Sequence, residues 1–276
     1  MRRARLLALL LGSVAVVFGC GRGRQTAPTQ PSSPAPTPKV DFAVHIPCVI
    51  STPIQRVLVA YQDHHSVYIE TNTDKPLGML GKVKEKQTTP TVVFTMGEVE
   101  MQALVTAGAV DRARVVDLGR NAYQIAAMVP SENDTLHSIA DLARPAVKRV
   151  AIEDPKLSTL GNRCEQALRK LGLWTKIAPK AVRFDPTVNL LDQLLEGKAD
   201  AALVYRDCLF SEGGSPPRTV RLLASLPADS YSPIVYQAAP LKQAPASPQA
   251  DAFLAFLNTP EGNRALQQAG LAPKTP

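Results

Sequence analysis

Short apolar runs alternate along this chain with segments whose apolar positions recur at helical spacing. That alternation predicts strands buried on both faces, covered by amphipathic helices. It is clearest over residues 149–174. Val150-Ala151-Ile152 reads as a strand buried in a parallel sheet. Asp154-Pro155 ends it as a turn. Ser158 and Thr159 are good helix caps, and Gly161 lets another backbone come close. Ala167, Leu168 and Leu171 then repeat at helical spacing, and Gly172 closes the helix. A strand, a tight turn and a capped helix start form a ready anion site, because free N–H groups and the helix dipole converge on one spot. The same residues also suit a plain connection between strand and helix, and the pattern alone does not separate the two.

The rest of the chain repeats the theme. Residues 40–46, 67–70, 91–95, 115–118, 123–129, 201–205, 220–224 and 234–238 read as strands. Residues 50–61, 99–109, 136–142, 188–195, 252–257 and 265–269 read as helices, and residues 243–248 as a surface loop. Strands alternating with helices predict an α/β fold built on mostly parallel, doubly wound sheets.

The first 39 residues differ in kind. A cationic start (Arg2, Arg3, Arg5) precedes the apolar run 6–18, which reads as an export signal and is too short to span a membrane comfortably. It ends in Val17-Phe18-Gly19-Cys20, which resembles the bacterial lipobox; the resemblance implies lipidation of Cys20 and a signal peptide over residues 1–20. Residues 21–39 hold five prolines and almost nothing apolar, so they read as an extended, solvated tether.

Charge then narrows the function. The formal net charge of +7 suggests a nucleic-acid or acidic-surface partner at first. Six of the 31 cationic residues lie within residues 1–39, which contain no Asp or Glu. Removing them leaves 25 Lys and Arg against 24 Asp and Glu, so the folding part is nearly neutral and nucleic acid is not expected as a partner.

Six segments, taken in order, resemble the molybdate-binding subunits of bacterial ABC importers, which are type II periplasmic binding proteins. They are Val93-Phe94 through Leu104-Val105-x-x-Gly108-x-Val110; Ile152-x-Asp154-Pro155 through Gly161; Ala167-Leu168-x-x-Leu171-Gly172-Leu173-Trp174; Leu195-x-Gly197-x-Ala199-Asp200-Ala201-x-Leu203-Val204-Tyr205; Pro233-Ile234-Val235-Tyr236; and Ala252-Phe253-Leu254-x-Phe256-Leu257-x-x-Pro260-Glu261. The resemblance covers residues 40–272. It implies a two-lobe clamshell of mostly parallel sheets with flanking helices. The first lobe would comprise 40–124 plus 236–276 and the second 125–235, with a ligand cleft between them.

The same resemblance implies five ligand-holding elements. The turn after the first strand places Cys48 or Val49 where the family has a serine; a thiol is a weaker donor than a hydroxyl, and Pro47 removes an N–H. The turn after the second strand places Asp74 near a second family serine, with Thr73 or Lys75 as alternatives. The third element is Thr159-Leu160-Gly161, where Arg163 either adds a five-donor cation to the cleft or points to solvent. Val188 matches a backbone donor ahead of a helix, and Tyr205 matches a hydroxyl at a strand end. Donors of this kind imply a small oxyanion ligand such as molybdate or tungstate. The replaced donors leave room for another oxyanion, a carboxylate compound or a metal species.

Cys48, Cys164 and Cys208 allow a Cys164–Cys208 disulfide, a soft-metal thiolate site using Cys48, or plain buried packing. No P-loop, dinucleotide fingerprint or local Ser/His/Asp or Cys/His arrangement is present, so neither an enzyme nor a cofactor is expected. The resemblance implies a monomer that captures its ligand outside the cytoplasm, anchored to the membrane through Cys20 and working with a separate permease and ATPase. A sensor or structural lipoprotein that has lost transport is the alternative of a different class.

Overall fold

The computed structural model describes residues 39–74, 78, 82, 90–121, 124–206 and 219–272. In chain order the described elements are β1 (Phe42–Ile46), α1 (Ser51–Gln62), β2 (Ile69–Thr73), β3 (Val92–Thr95), α2 (Glu98–Thr106), β4 (Val116–Asn121), β5 (Ile125–Pro130), β6 (Val150–Glu153), α3 (Thr159–Lys170), α4 (Trp174–Ile177), β7 (Ala181–Phe184), α5 (Leu190–Leu195), β8 (Ala201–Tyr205), β9 (Val220–Ser225), β10 (Ile234–Pro240), α6 (Pro248–Phe256) and α7 (Pro260–Gln268).

The strands form two five-stranded sheets, ordered β2-β1-β3-β10-β4 and β7-β6-β8-β5-β9. Both are mixed in the same way. β1 pairs in parallel with β2 and β3, and β6 pairs in parallel with β7 and β8. β10 and β5 then run antiparallel to both of their neighbours. The chain passes from one sheet to the other twice, between β4 and β5 and back between β9 and β10. A two-lobe clamshell results, with each sheet carrying its own helices.

The parallel strands explain their own sequences. β6 and β8 are covered on both faces, so both read as continuous apolar runs. One apolar cluster includes Val44, Ile46 and Phe94 of the first sheet and Ile125, Val150, Ile152 and Leu203 of the second. Beneath the first sheet Tyr61 packs edge-on against Phe253, with ring centroids 5.1 Å apart. The last two helices begin earlier than their apolar spacing predicts. Ser247 and Thr259 cap them, accepting from Ala250 N–H at 3.2 Å and Gly262 N–H at 3.0 Å, and a proline occupies the first turn of each.

Other elements depart from the pattern as well. The second strand lies at Ile69–Thr73, further along than residues 67–70, in a polar stretch at the edge of its sheet. β7, Ala-Val-Arg-Phe, was not predicted; it too is a half-exposed edge strand and carries little apolar signal. Residues 136–142 form a 3₁₀ turn at Ile139–Ala143, closed by the Ser138–Asp141 capping box, rather than a helix. Among the described residues no helix is long and apolar enough to cross a membrane.

Candidate functional site

The start of α3 is built as its residues predict. Ser158 is fully buried and caps the helix, its hydroxyl accepting from Gly161 N–H at 3.2 Å. The same hydroxyl donates to Glu153 Oε2 at the end of β6. Gly161 is required by a close approach: a Cβ there would lie 2.1 Å from the carbonyl oxygen of Glu153. The helix end is finished by Arg169 and Lys170 in the last turn and by Gly172 at φ +70°.

The cradle at this helix start is filled from the other sheet. Glu100, in the first turn of α2, accepts a hydrogen bond from Thr159 N–H at 2.8 Å through Oε1. Its Oε2 lies 2.5 Å from Thr159 Oγ1. Val99 N–H donates to the same Thr159 oxygen at 3.2 Å. Glu100 is 6% exposed and Thr159 is fully buried. Burial pushes the Glu100 carboxyl up from its ordinary value and the negative charge of Glu98 adds to this, while the Thr159 hydrogen bonds oppose it.

Arg163 also turns inward rather than to solvent, and is 4% exposed. Its guanidinium pairs with Glu98 and donates to the carbonyls of Ser232 at 2.8 Å and Pro233 at 3.2 Å. Arg163 therefore ties α3 both to the start of α2 and to the segment that leads back into β10. A fourth bond, to Asn162 Oδ1 at 2.8 Å, uses another of its donors. This cation is committed to structural partners.

Tyr205 ends β8, paired with Ile125, and is 5% exposed. Burial raises its phenol well above the ordinary value, and the nearby Glu100, Tyr236, Glu153 and Cys164 add to the effect. Leu160 points into the core. The structure thus brings Thr159, Leu160, Gly161, Arg163 and Tyr205 together. Its surroundings are more acidic than the sequence reading expected, with Glu98, Glu100 and Glu153 at hand. The only signal for the first two was Gly97-Glu98-Val99-Glu100 directly after β3, which reads equally as an ordinary acidic helix start.

The other expected positions have contacts of their own. Cys48 is exposed on the 3₁₀ turn Cys48–Ile50, and its carbonyl accepts from Ser51 Oγ at 2.8 Å. Val49 packs half-buried against the core. Asp74 forms an ion pair with Lys82 and faces the buried His45, whose imidazole burial holds below its ordinary value. Val188 N–H donates to Asp185 O at 2.9 Å within a turn. Cys164 is a free, fully buried thiol, raised well above its ordinary value by burial and by Glu153. Cys20, Lys75 and Cys208 lie outside the described residues. Among the described residues no group of three or more His, Cys, Asp or Glu side chains could hold a metal ion. A groove of about 560 Å³ lies along the exposed side of α3, between Asn162, Gln166, Arg169 and Arg183; it is open and of mixed charge.

Known proteins share this architecture. YvgL of Bacillus subtilis, which carries the name of an ABC transporter substrate-binding lipoprotein, is 24% identical over 270 residues, covering 97% of this chain and 95% of its own. The molybdate-binding protein ModA of Rhodobacter capsulatus is 30% identical over 125 residues, 45% of this chain and 47% of its own. The structure of PEB3 with L-phospholactate superposes with a TM-score of 0.63 at 14% identity, covering 84% of this chain and all of the other, a likeness of fold. The two sequence relatives carry the names of solute-binding proteins. The family model for bacterial extracellular solute-binding proteins matches residues 46–272, and the chain belongs to that family.

Proposed function

We propose that this chain is the solute-capturing lipoprotein of an ABC importer, and that its ligand is a small oxyanion held between the two lobes. The lobes would be residues 40–124 with 236–276, and residues 125–235, closing on the ligand by a hinge motion. The observation that carries this reading is the cradle at Thr159. A main-chain N–H and a hydroxyl at the start of a twelve-residue helix converge there on a carboxyl group, whose oxygens have the same acceptor chemistry as an oxyanion. Gly161 keeps the approach open, and the Tyr205 hydroxyl supplies a further donor. Lipidation of Cys20 and the tether of residues 21–39 would hold a monomer near its permease and ATPase.

Molybdate or tungstate is the first reading of the ligand, since molybdate-binding relatives match this chain in sequence. The carboxylates Glu98, Glu100 and Glu153 favour a second reading: an oxyanion that brings its own proton, such as a hydrogenphosphate group, because an acceptor-only dianion meets repulsion in a low-dielectric cleft. Thermal-shift measurements with molybdate, tungstate, sulfate, phosphate and divalent metals decide between them. A tight ligand raises the melting temperature by several degrees. No rise with either molybdate or tungstate refutes the first reading, and no rise with any oxyanion refutes both.

A further inference from the structure

We propose that Glu100 is an internal occupant of the anion cradle and the residue that determines which ligands enter it: an oxyanion binds only by displacing the Glu100 carboxylate from Thr159. The inference rests on the oxyanion reading for the identity of the competitor, and on geometry for the occupant itself. Both carboxyl oxygens of Glu100 are engaged, Oε1 by Thr159 N–H and Oε2 by Thr159 Oγ1. A second anion cannot share those donors, because two negative groups in a buried site repel strongly.

The contact is also shaped for this carboxylate. Gly97 precedes α2, and a Cβ there would lie 2.1 Å from Thr159 Oγ1, so the approach that delivers Glu100 depends on glycine. Val99 N–H donates to the same Thr159 oxygen, adding a main-chain tie. Glu98 and Arg163 reinforce the contact one helix turn along α3. The ligand-free chain thereby closes on its own side chain. A group tethered in this way competes at an effective concentration on the order of millimolar. Such a competitor lowers the apparent affinity for every anion and lowers it most for acceptor-only ones, which cannot hydrogen-bond to a displaced carboxylate that stays nearby.

The test uses the full-length chain and its Glu100→Ala and Glu100→Gln variants. Calorimetry with sodium molybdate, sodium tungstate and inorganic phosphate gives affinity, and hydrogen exchange of peptides covering residues 97–101 and 158–161 without ligand gives closure. The expected result is faster exchange in both peptides of Glu100→Ala, with binding of at least one oxyanion about 10-fold tighter or more. Glu100→Gln, which keeps the shape and loses the charge, is expected to bind more tightly than wild type as well, and serves if the alanine variant does not fold. Faster exchange in both peptides with no oxyanion bound by any of the three proteins would uphold the internal occupant and overturn the oxyanion reading. Oxyanion binding by wild type that is equal or weaker in both variants would overturn the occupant and leave the oxyanion reading standing.

Discussion

Gly97 passes so close to Thr159 that a Cβ on the glycine would sit 2.1 Å from the threonine hydroxyl oxygen. The two residues belong to opposite halves of the molecule. Gly97 has φ 171°, an extended conformation open to any residue. Gly97→Ala therefore leaves its own half unstrained and acts as a wedge where the halves meet. The expected outcome is a stability loss of about 1–3 kcal/mol, with faster hydrogen exchange at residues 158–161 and no change in the first sheet. Uniform faster exchange across the first sheet would show that the substitution acts within its own half.

Arg163 offers a second test of the same junction. Its guanidinium holds Glu98 and the carbonyls of Ser232 and Pro233 at once. Glu98 is 43% exposed at its side chain, so solvent shields part of the pair and the carbonyls carry much of the effect. Arg163→Met keeps the apolar stem and removes every donor, so Glu98 and the two part-buried carbonyl contacts lose their partner. A loss of about 2–3 kcal/mol in urea denaturation is expected. A change within about 0.5 kcal/mol, the range typical of surface substitutions, would mean that the bonds are replaced by water.

These contacts show where sequence stops being informative. β6 and α3 are legible because burial on two faces leaves a continuous apolar run, and because the cap, the apolar spacing and the closing glycine all agree over residues 150–172. Tyr205 and Gly161 are legible for a similar reason, since their neighbours fix them to a strand end and a helix start. Glu100 is not. Its partner lies 59 residues away, and an acid in a first helix turn already has a sufficient local explanation in the helix dipole. β7 escapes and the bounds of β2 shift because both are edge strands, whose half-exposed residues show neither an apolar run nor clean alternation. Arg163 was left between cleft and solvent because its orientation depends on Glu98 and on the returning segment at Ser232, both supplied by the fold.

The buried Glu100 carboxyl makes stability depend on pH in a defined direction. Burial raises it above the ordinary 4.5, so only between pH 4.5 and that raised value does the native chain retain a proton that the unfolded chain has released. Its contribution is full below about pH 4.5 and is lost as pH rises through the raised native value. Asp200 and Asp141 act in the opposite sense. Hydrogen bonds from Arg149 and Lys148 hold Asp200 below the ordinary 3.8 despite the opposing effect of partial burial, and those from His137 and Ser138 do the same for Asp141, so both lose their contributions as pH falls. The difference between wild type and Glu100→Gln isolates the single group. Urea denaturation from pH 4.5 upward is expected to show the wild-type advantage shrinking as pH rises. A difference that grows with pH would mean that the Thr159 hydrogen bonds outweigh burial and hold the carboxyl below its ordinary value instead.

The two described cysteines are predicted to differ in reactivity by a wide margin. Cys48 is free and exposed on its 3₁₀ turn. Cys164 is free but fully buried in α3, and its thiol is held well above the ordinary value by burial and by Glu153, so almost no thiolate is present. Iodoacetamide at neutral pH should modify the Cys48 peptide readily and the Cys164 peptide about 10³-fold more slowly or less, with the two rates converging in denaturing urea. Peptide-resolved mass spectrometry over a time course measures both in one sample. Equal rates in the native protein would require the first turns of α3 to open often, which the Thr159 and Arg163 contacts oppose. Combining the measurement with Glu100→Ala sharpens it. If the Glu100 contact also holds down the start of α3, Cys164 modification accelerates in the variant while the Cys48 rate stays unchanged.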